Sequence, residues 1–123
     1  MHFIVFCVML APEVATILEA VPEFVDRYLE LVEAVDGDPG ASATFTELAD
    51  YLVGTGTGPA SSPAVVARCM SAIERVARES NDAEELVGWA FLDSLSPEDR
   101  AHLGPWLGPR TLEVAETVGL ETP

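Results

Sequence analysis

Lysine is absent from this chain. All six cationic side chains are arginines, set against 21 Asp and Glu, so the formal net charge is −15 at pH 7. A field of that sign repels phosphate backbones and argues against nucleic acid as a partner. Two cysteines, Cys7 and Cys69, are too few to form a disulfide framework in 123 residues. Only two histidines occur, His2 and His102, and Ser-His-Asp chemistry needs one beside its serine. No apolar run approaches the roughly 20 residues of a membrane-spanning helix, so no membrane is expected as a partner. The period-two alternation of β-branched residues that marks strands is missing, and so is any repeat of fixed period. What is present is ordinary for a folded protein. Apolar residues make up 49% of the chain, enough to offset chain entropy despite the charge. The length suits one domain whose core needs neither metal, cofactor nor disulfide.

The expected organisation is an apolar N-terminal arm (1–11), a helical domain (12–119) and a tail (120–123). Three readings of the arm stand: an ordered segment packed on the domain, a start-site artefact with Met9 as the true start, and a targeting segment. The last wants a cationic start and a small-residue exit, and offers only His2 and Ala11-Pro-Glu. From Pro12 the period turns helical, with Val14, Ile17, Leu18 and Val21 at three-to-four spacing. Pro22 interrupts and opens a second helix over 22–35, whose Phe24, Val25, Tyr28, Leu31, Val32 and Val35 share one face. A turn at 36–40 leads to a capping-box pair, Thr44 with Glu47, which predicts a helix over 45–53. Residues 54–62 read as a flexible linker, and Ser62-Pro63 as the start of a helix reaching Glu79. Asp82 with Glu85 predicts a further capping box and a helix ending near Leu95. Ser96-Pro97 opens a short helix, and a last one covers 110–118. The fold class is all-α, a single-domain bundle of six to seven short helices.

Few residues offer chemistry. His102 reads as a cation at a helix C-terminus, and Cys69 as a small hydrophobe on a buried face. Counting Asp36 as the first position of a calcium loop places Asp38 third and Glu47 twelfth. Ala41, however, stands where that loop needs glycine, so the plain reading is a solvated acidic turn. The Gly54-Thr-Gly-Thr-Gly58 run has no preceding strand and no lysine, which excludes a phosphate loop. No catalytic residue and no metal site is expected. Trp89 reads as core-edge packing ahead of a contact surface, and Trp106 as a plug fixing a Gly-Pro turn.

The most organised polar feature is a carboxylate stripe, Glu23, Asp26, Glu30 and Glu33, opposite the apolar face of 22–35 and continued by Asp36 and Asp38. Residues 1–60 carry a net −9 and residues 61–123 a net −6, so the stripe lies in the more negative half. A solvated helix face is the bland reading. The functional one is a docking face for a basic protein, bound by Glu23, Asp26, Glu30, Glu33, Asp36 and Asp38. Charge alone predicts that the thermal midpoint at pH 7 rises with salt, as the screening length falls from about 30 Å to about 8 Å.

Val21-Pro-Glu-Phe24 with Tyr28, then Trp89-Ala-Phe-Leu-Asp-Ser-Leu95 and Leu103-Gly-Pro105, resemble the landmarks of a family of short bacterial all-helical proteins of unknown function. That resemblance spans roughly 12–118 and supplies no catalytic residues. It implies an immunity-protein role against a secreted toxin. The expectation is therefore a non-enzymatic, cytoplasmic, bacterial binding protein. The alternative is a structural or assembly protein that self-associates through apolar surface, as a homodimer using the arm.

Overall fold

Among the described residues, four of the seven α-helices begin on proline. Its fixed φ suits the first helical position, and its missing N–H is one that would have no intrahelical partner there anyway. The computed structural model describes residues 11–53 and 62–119. The arm up to residue 10, the linker at 54–61 and the tail from 120 lie outside the described residues. The helices are α1 (Pro12–Ala20), α2 (Val25–Val35), α3 (Gly40–Val53), α4 (Pro63–Glu79), α5 (Asn81–Leu86), α6 (Pro97–Leu103) and α7 (Pro109–Gly119). A 3-10 turn, Pro22–Phe24, precedes α2. A π turn (Val87–Phe91) and a 3-10 turn (Leu92–Ser94) prolong α5, and a further 3-10 turn (Gly104–Trp106) follows α6. No strand occurs among the described residues, and the protein is all-α.

Helix α4 is the centre of the bundle, packing on α1, α5 and α7. Val66, Cys69, Met70, Ile73, Val76 and Ala77 are all buried on it, as their spacing predicted. Each fully buried Val, Ile or Met side chain contributes about 1.5–3 kcal/mol, so this face alone accounts for a large share of the hydrophobic stabilisation. Helix α3 closes the other side through Phe45, Leu48 and Leu52, and packs on the π turn. Widening the helix at the π turn changes the carbonyl pairing, and side chains make up the difference. The Ala90 carbonyl accepts from Thr46 Oγ1 on α3 (3.1 Å) and from Ser94 Oγ (2.7 Å), while that of Leu92 accepts from Arg100 Nε (3.2 Å).

Two predicted capping boxes are corrected. Helix α3 starts at Gly40, four residues ahead of Thr44, whose hydroxyl instead donates to the Gly40 carbonyl within the helix (2.7 Å). The Gly40 N–H is taken by Asp38 Oδ1 (2.9 Å), a short-range turn closure that outcompetes a cap further along. At α5 the capping residue is Ser80, whose Oγ accepts from Ala83 N (3.1 Å), and Asp82 already lies inside the helix.

The apolar face of α2 is the larger correction. Phe24 and Tyr28 are buried, but Val25, Leu31 and Val32 are only half-buried and Val35 is 50% exposed. Helix α2 packs chiefly on α3 and on its own leading 3-10 turn, so beyond Tyr28 it runs past the edge of the core. Periodicity assigns side chains to one face but does not say how far along the helix a neighbour extends.

Candidate functional site

In so acidic a protein, the position of the arginines decides which carboxylates are free. Arg27 points from α2 to α3, where its Nε meets Glu47 Oε2 and its Nη2 meets Asp50 Oδ2, both at 2.6 Å. Burial weakens its charge, but the bond to Glu47 and the nearness of Asp50 outweigh this and hold it above the ordinary arginine value. Arg68 on α4 grips Glu23 with two nitrogens, at 3.0 and 2.5 Å, and also donates to the Ala20 carbonyl (3.2 Å). Hydrogen bonding from Arg68 lowers the pKa of Glu23, and the same contact raises that of Arg68. Glu23 therefore fastens the 3-10 turn ahead of α2 to α4 and leaves the predicted docking stripe. Arg78 pairs with Glu74, Arg110 with Glu84 and Glu113, and Arg100 more distantly with Asp93 (3.9 Å). Arg75 makes no ion pair among the described residues.

What remains of the stripe runs along the exposed side of α2, from Asp26 in its first turn to Glu33 near its C-terminus. Asp26, Glu30 and Glu33 are exposed, and none has an ion-pair partner among the described residues. Leu29, 38% exposed, is three residues from Asp26 and four from Glu33, which places an apolar side chain among the carboxylates. Asp36 ends the helix in a left-handed conformation (φ 56°, ψ 50°), one that Asp tolerates better than most residues. Its N–H donates to the Glu33 carbonyl (3.3 Å) and that of Gly37 to the Val32 carbonyl (3.1 Å), which is the paired closure of a Schellman motif. No basic residue stands in this last turn. The negative end of the helix dipole thus coincides with Glu30, Glu33 and Asp36, an arrangement that costs stability and concentrates negative potential, and Asp38 follows in the turn, where it accepts the Gly40 N–H at the start of α3. Of the six predicted partner-binding residues, these four and Asp26 share this region of the chain, and Glu23 is diverted to Arg68.

A carboxylate with the opposite fate was not singled out by sequence reasoning. Glu74, midway along α4, accepts from the backbone N–H of Arg110 (3.0 Å) and of Thr111 (2.9 Å), from Thr111 Oγ1 (2.8 Å) and from Arg78 Nε (2.7 Å). It caps α7 from another helix, because Gly108 and Pro109 supply no local cap. Burial would raise its pKa, but the donors, led by the Thr111 N–H, bring it down to about 2.

The other candidates carry little chemistry. Burial in the core pushes the Cys69 thiol up to about 12, leaving no reactive thiolate at neutral pH. His102 is exposed in the last turn of α6. In place of a calcium loop, residues 40–47 are helical and the Glu47 carboxylate is engaged by Arg27. No group of three or more His, Cys, Asp or Glu among the described residues is placed to hold a metal ion. Trp106 is 37% exposed. Trp89 is 52% exposed, more open than core-edge packing predicts. No helix among the described residues is long and apolar enough to cross a membrane. Comparison of the chain with protein-family models, with curated proteins and with solved structures finds no match to any of them.

Proposed function

We propose that the protein is a non-enzymatic binding protein that engages a basic protein partner through the exposed acidic side of α2 and the turn that follows it, with Asp26, Glu30, Glu33, Asp36 and Asp38 as its charged contacts and Leu29 as an apolar anchor. A toxin-neutralising immunity protein acting in the bacterial cytoplasm is the sharpest form of this reading. One observation carries it. Five of the six arginines are spent on seven other acids, while Glu30, Glu33 and Asp36 have no ion-pair partner among the described residues and stand at a helix end that itself repels them. A cationic partner relieves that repulsion and is steered toward it over a distance set by salt.

The test is a comparison of two double charge reversals that change the net charge equally. Glu30→Arg with Glu33→Arg strikes the proposed face. Glu19→Arg with Glu116→Arg strikes exposed acids on α1 and α7. Capture from native lysate should yield a basic protein whose retention weakens with NaCl, is lost with the α2 pair and survives the control pair. Equal loss with both pairs would reduce the interaction to net charge. Retention by the α2 pair would remove α2 from the interface. Self-association through apolar surface is the competing reading, and it predicts instead a dimer in sedimentation that forms without any partner.

A further inference from the structure

A second feature lies away from α2, where α5 and its π turn meet α7. There the molecule has a groove of about 220 Å³ lined by Glu84, Glu85, Gly88, Trp89, Val114 and Thr117. It continues past Glu84, Val114 and Thr117 into a depression of about 230 Å³ bordered by Arg110 and Glu113. The volume is below that of a drug-sized site and suits a single side chain. Its wall combines an indole with about half its surface open and a carboxylate, Glu85, that has no ion-pair partner among the described residues. An aromatic face beside a carboxylate is the pairing that receives an organic cation. The indole quadrupole attracts the charge and the carboxylate accepts its N–H groups. The neighbouring depression already holds such a group, since the Arg110 guanidinium lies between Glu84 and Glu113.

We propose that this groove is a second binding site, which seats one arginine side chain of a polypeptide partner, its guanidinium stacked on Trp89 and hydrogen-bonded to Glu85. Guanidinium fits better than ammonium for a physical reason. It is planar, weakly hydrated and able both to stack and to donate two parallel hydrogen bonds. Three carboxylates against one arginine make the groove net negative, which excludes an anionic guest. Gly88 and Val114, both buried, give the lining an apolar part against which the methylene stem can lie. This site does not depend on the α2 reading, because none of its residues lies on α2.

The experiment uses the full chain and N-acetyl-arginine-N-methylamide as probe, followed by the indole N–H resonances in NMR. Trp106 is an internal control in the same spectrum. A saturable shift at Trp89 but not at Trp106 is expected. Binding should weaken about threefold in Glu85→Gln, the order of effect of removing one solvent-exposed charge partner. The citrulline analogue, which matches arginine in shape without its charge, should give no saturable shift, and the lysine analogue a weaker one. Both Glu85 and Trp89 are exposed, so Glu85→Gln and Trp89→Leu should retain the helical circular dichroism. The proposal is overturned if the citrulline analogue binds as well as arginine. It is equally overturned if Glu85→Gln leaves the arginine titration unchanged, or if the lysine analogue binds more tightly than arginine.

Discussion

Two helix ends of this molecule treat carboxylates in opposite ways. At the N-terminus of α7, Glu74 meets the positive end of the dipole and accepts four hydrogen bonds, three of them from Arg110 and Thr111. At the C-terminus of α2, Glu30, Glu33 and Asp36 meet the negative end, with no basic residue in the last turn. One placement satisfies the helix and the other frustrates it. Carboxylates are abundant throughout the chain, so abundance explains neither. The satisfied one stabilises the fold. The frustrated ones lower stability where the chain could have carried a lysine or arginine, and such local conflicts are where natural proteins place function.

The comparison is broken most directly at its stable end. Glu74→Ala should destabilise the protein by about 2–3 kcal/mol, since it leaves two backbone N–H groups at the start of α7 without their acceptor. In a melt that is roughly a 10 °C fall in Tm. A fall within error would reduce Glu74 to one more surface acid. Gly108→Ala approaches the same bond from the other side. A Cβ there would come within 2.5 Å of Glu74 Cδ and Oε1, so the carboxylate has to leave its donors. A cost of about 1–2 kcal/mol is expected, and little further loss when it is combined with Glu74→Ala, because both remove one interaction. Full additivity in urea denaturation would show that the crowding is relieved without moving Glu74.

Acid provides a third handle. The folded-state pKa of Glu74, about 2, lies below its ordinary value of 4.5, so the unfolded chain takes up that proton first. The stabilisation is complete above pH 4.5 and disappears as pH falls toward 2. Partial exposure limits it to about 2 kcal/mol. Stability of the native protein measured between those pH values should fall more steeply than that of Glu74→Ala. Parallel curves would separate the hydrogen bonds from the shift.

At the frustrated end the sign reverses. Asp36→Asn keeps a residue suited to the left-handed cap and removes a charge from the negative helix end, so stability should rise by about 0.3–0.5 kcal/mol. Native protein should gain Tm between 0.01 and 0.15 M NaCl, and Asp36→Asn with Glu33→Gln should show a shallower gain. A stability loss in Asp36→Asn would mean that its carboxylate does structural work. The smallest effect belongs to Glu23→Gln. Both side chains of its pair with Arg68 are more than 40% exposed, so solvent screens the pair and the thermal melt should be nearly unchanged.

Much of the fold is legible in the sequence because its signals are local. Prolines at 12, 63 and 97 mark helix starts, and the stripe from Val66 to Ala77 marks the central helix. The caps were misplaced because Thr44-Glu47 and Asp82-Glu85 satisfy a capping pattern as residue types, while Asp38 and Ser80 sit nearer the real ends. The site was half legible. The acidic side of α2 follows from spacing, but the loss of Glu23 depends on Arg68, 45 residues away in the chain. Glu74 was invisible for the same reason, its donors lying 36 and 37 residues further along. One trace of it existed: α7 opens on Gly108-Pro109 with no Ser, Thr, Asp or Asn at the capping position, and the N–H groups that follow had to find an acceptor elsewhere.

Cys69 has a use unconnected with any partner. It is fully buried in α4 and its thiol is pushed up to about 12, so an alkylating reagent can attack it only while the bundle is open. In a Cys7→Ser background, the rate of Cys69 modification in plain buffer counts the excursions that expose the central helix. When reclosing outruns alkylation, that rate divided by the rate in the unfolded chain is the population of open molecules, and when alkylation wins it is the opening rate itself. The chain thereby contains a chronometer for its own breathing, readable without heat or denaturant.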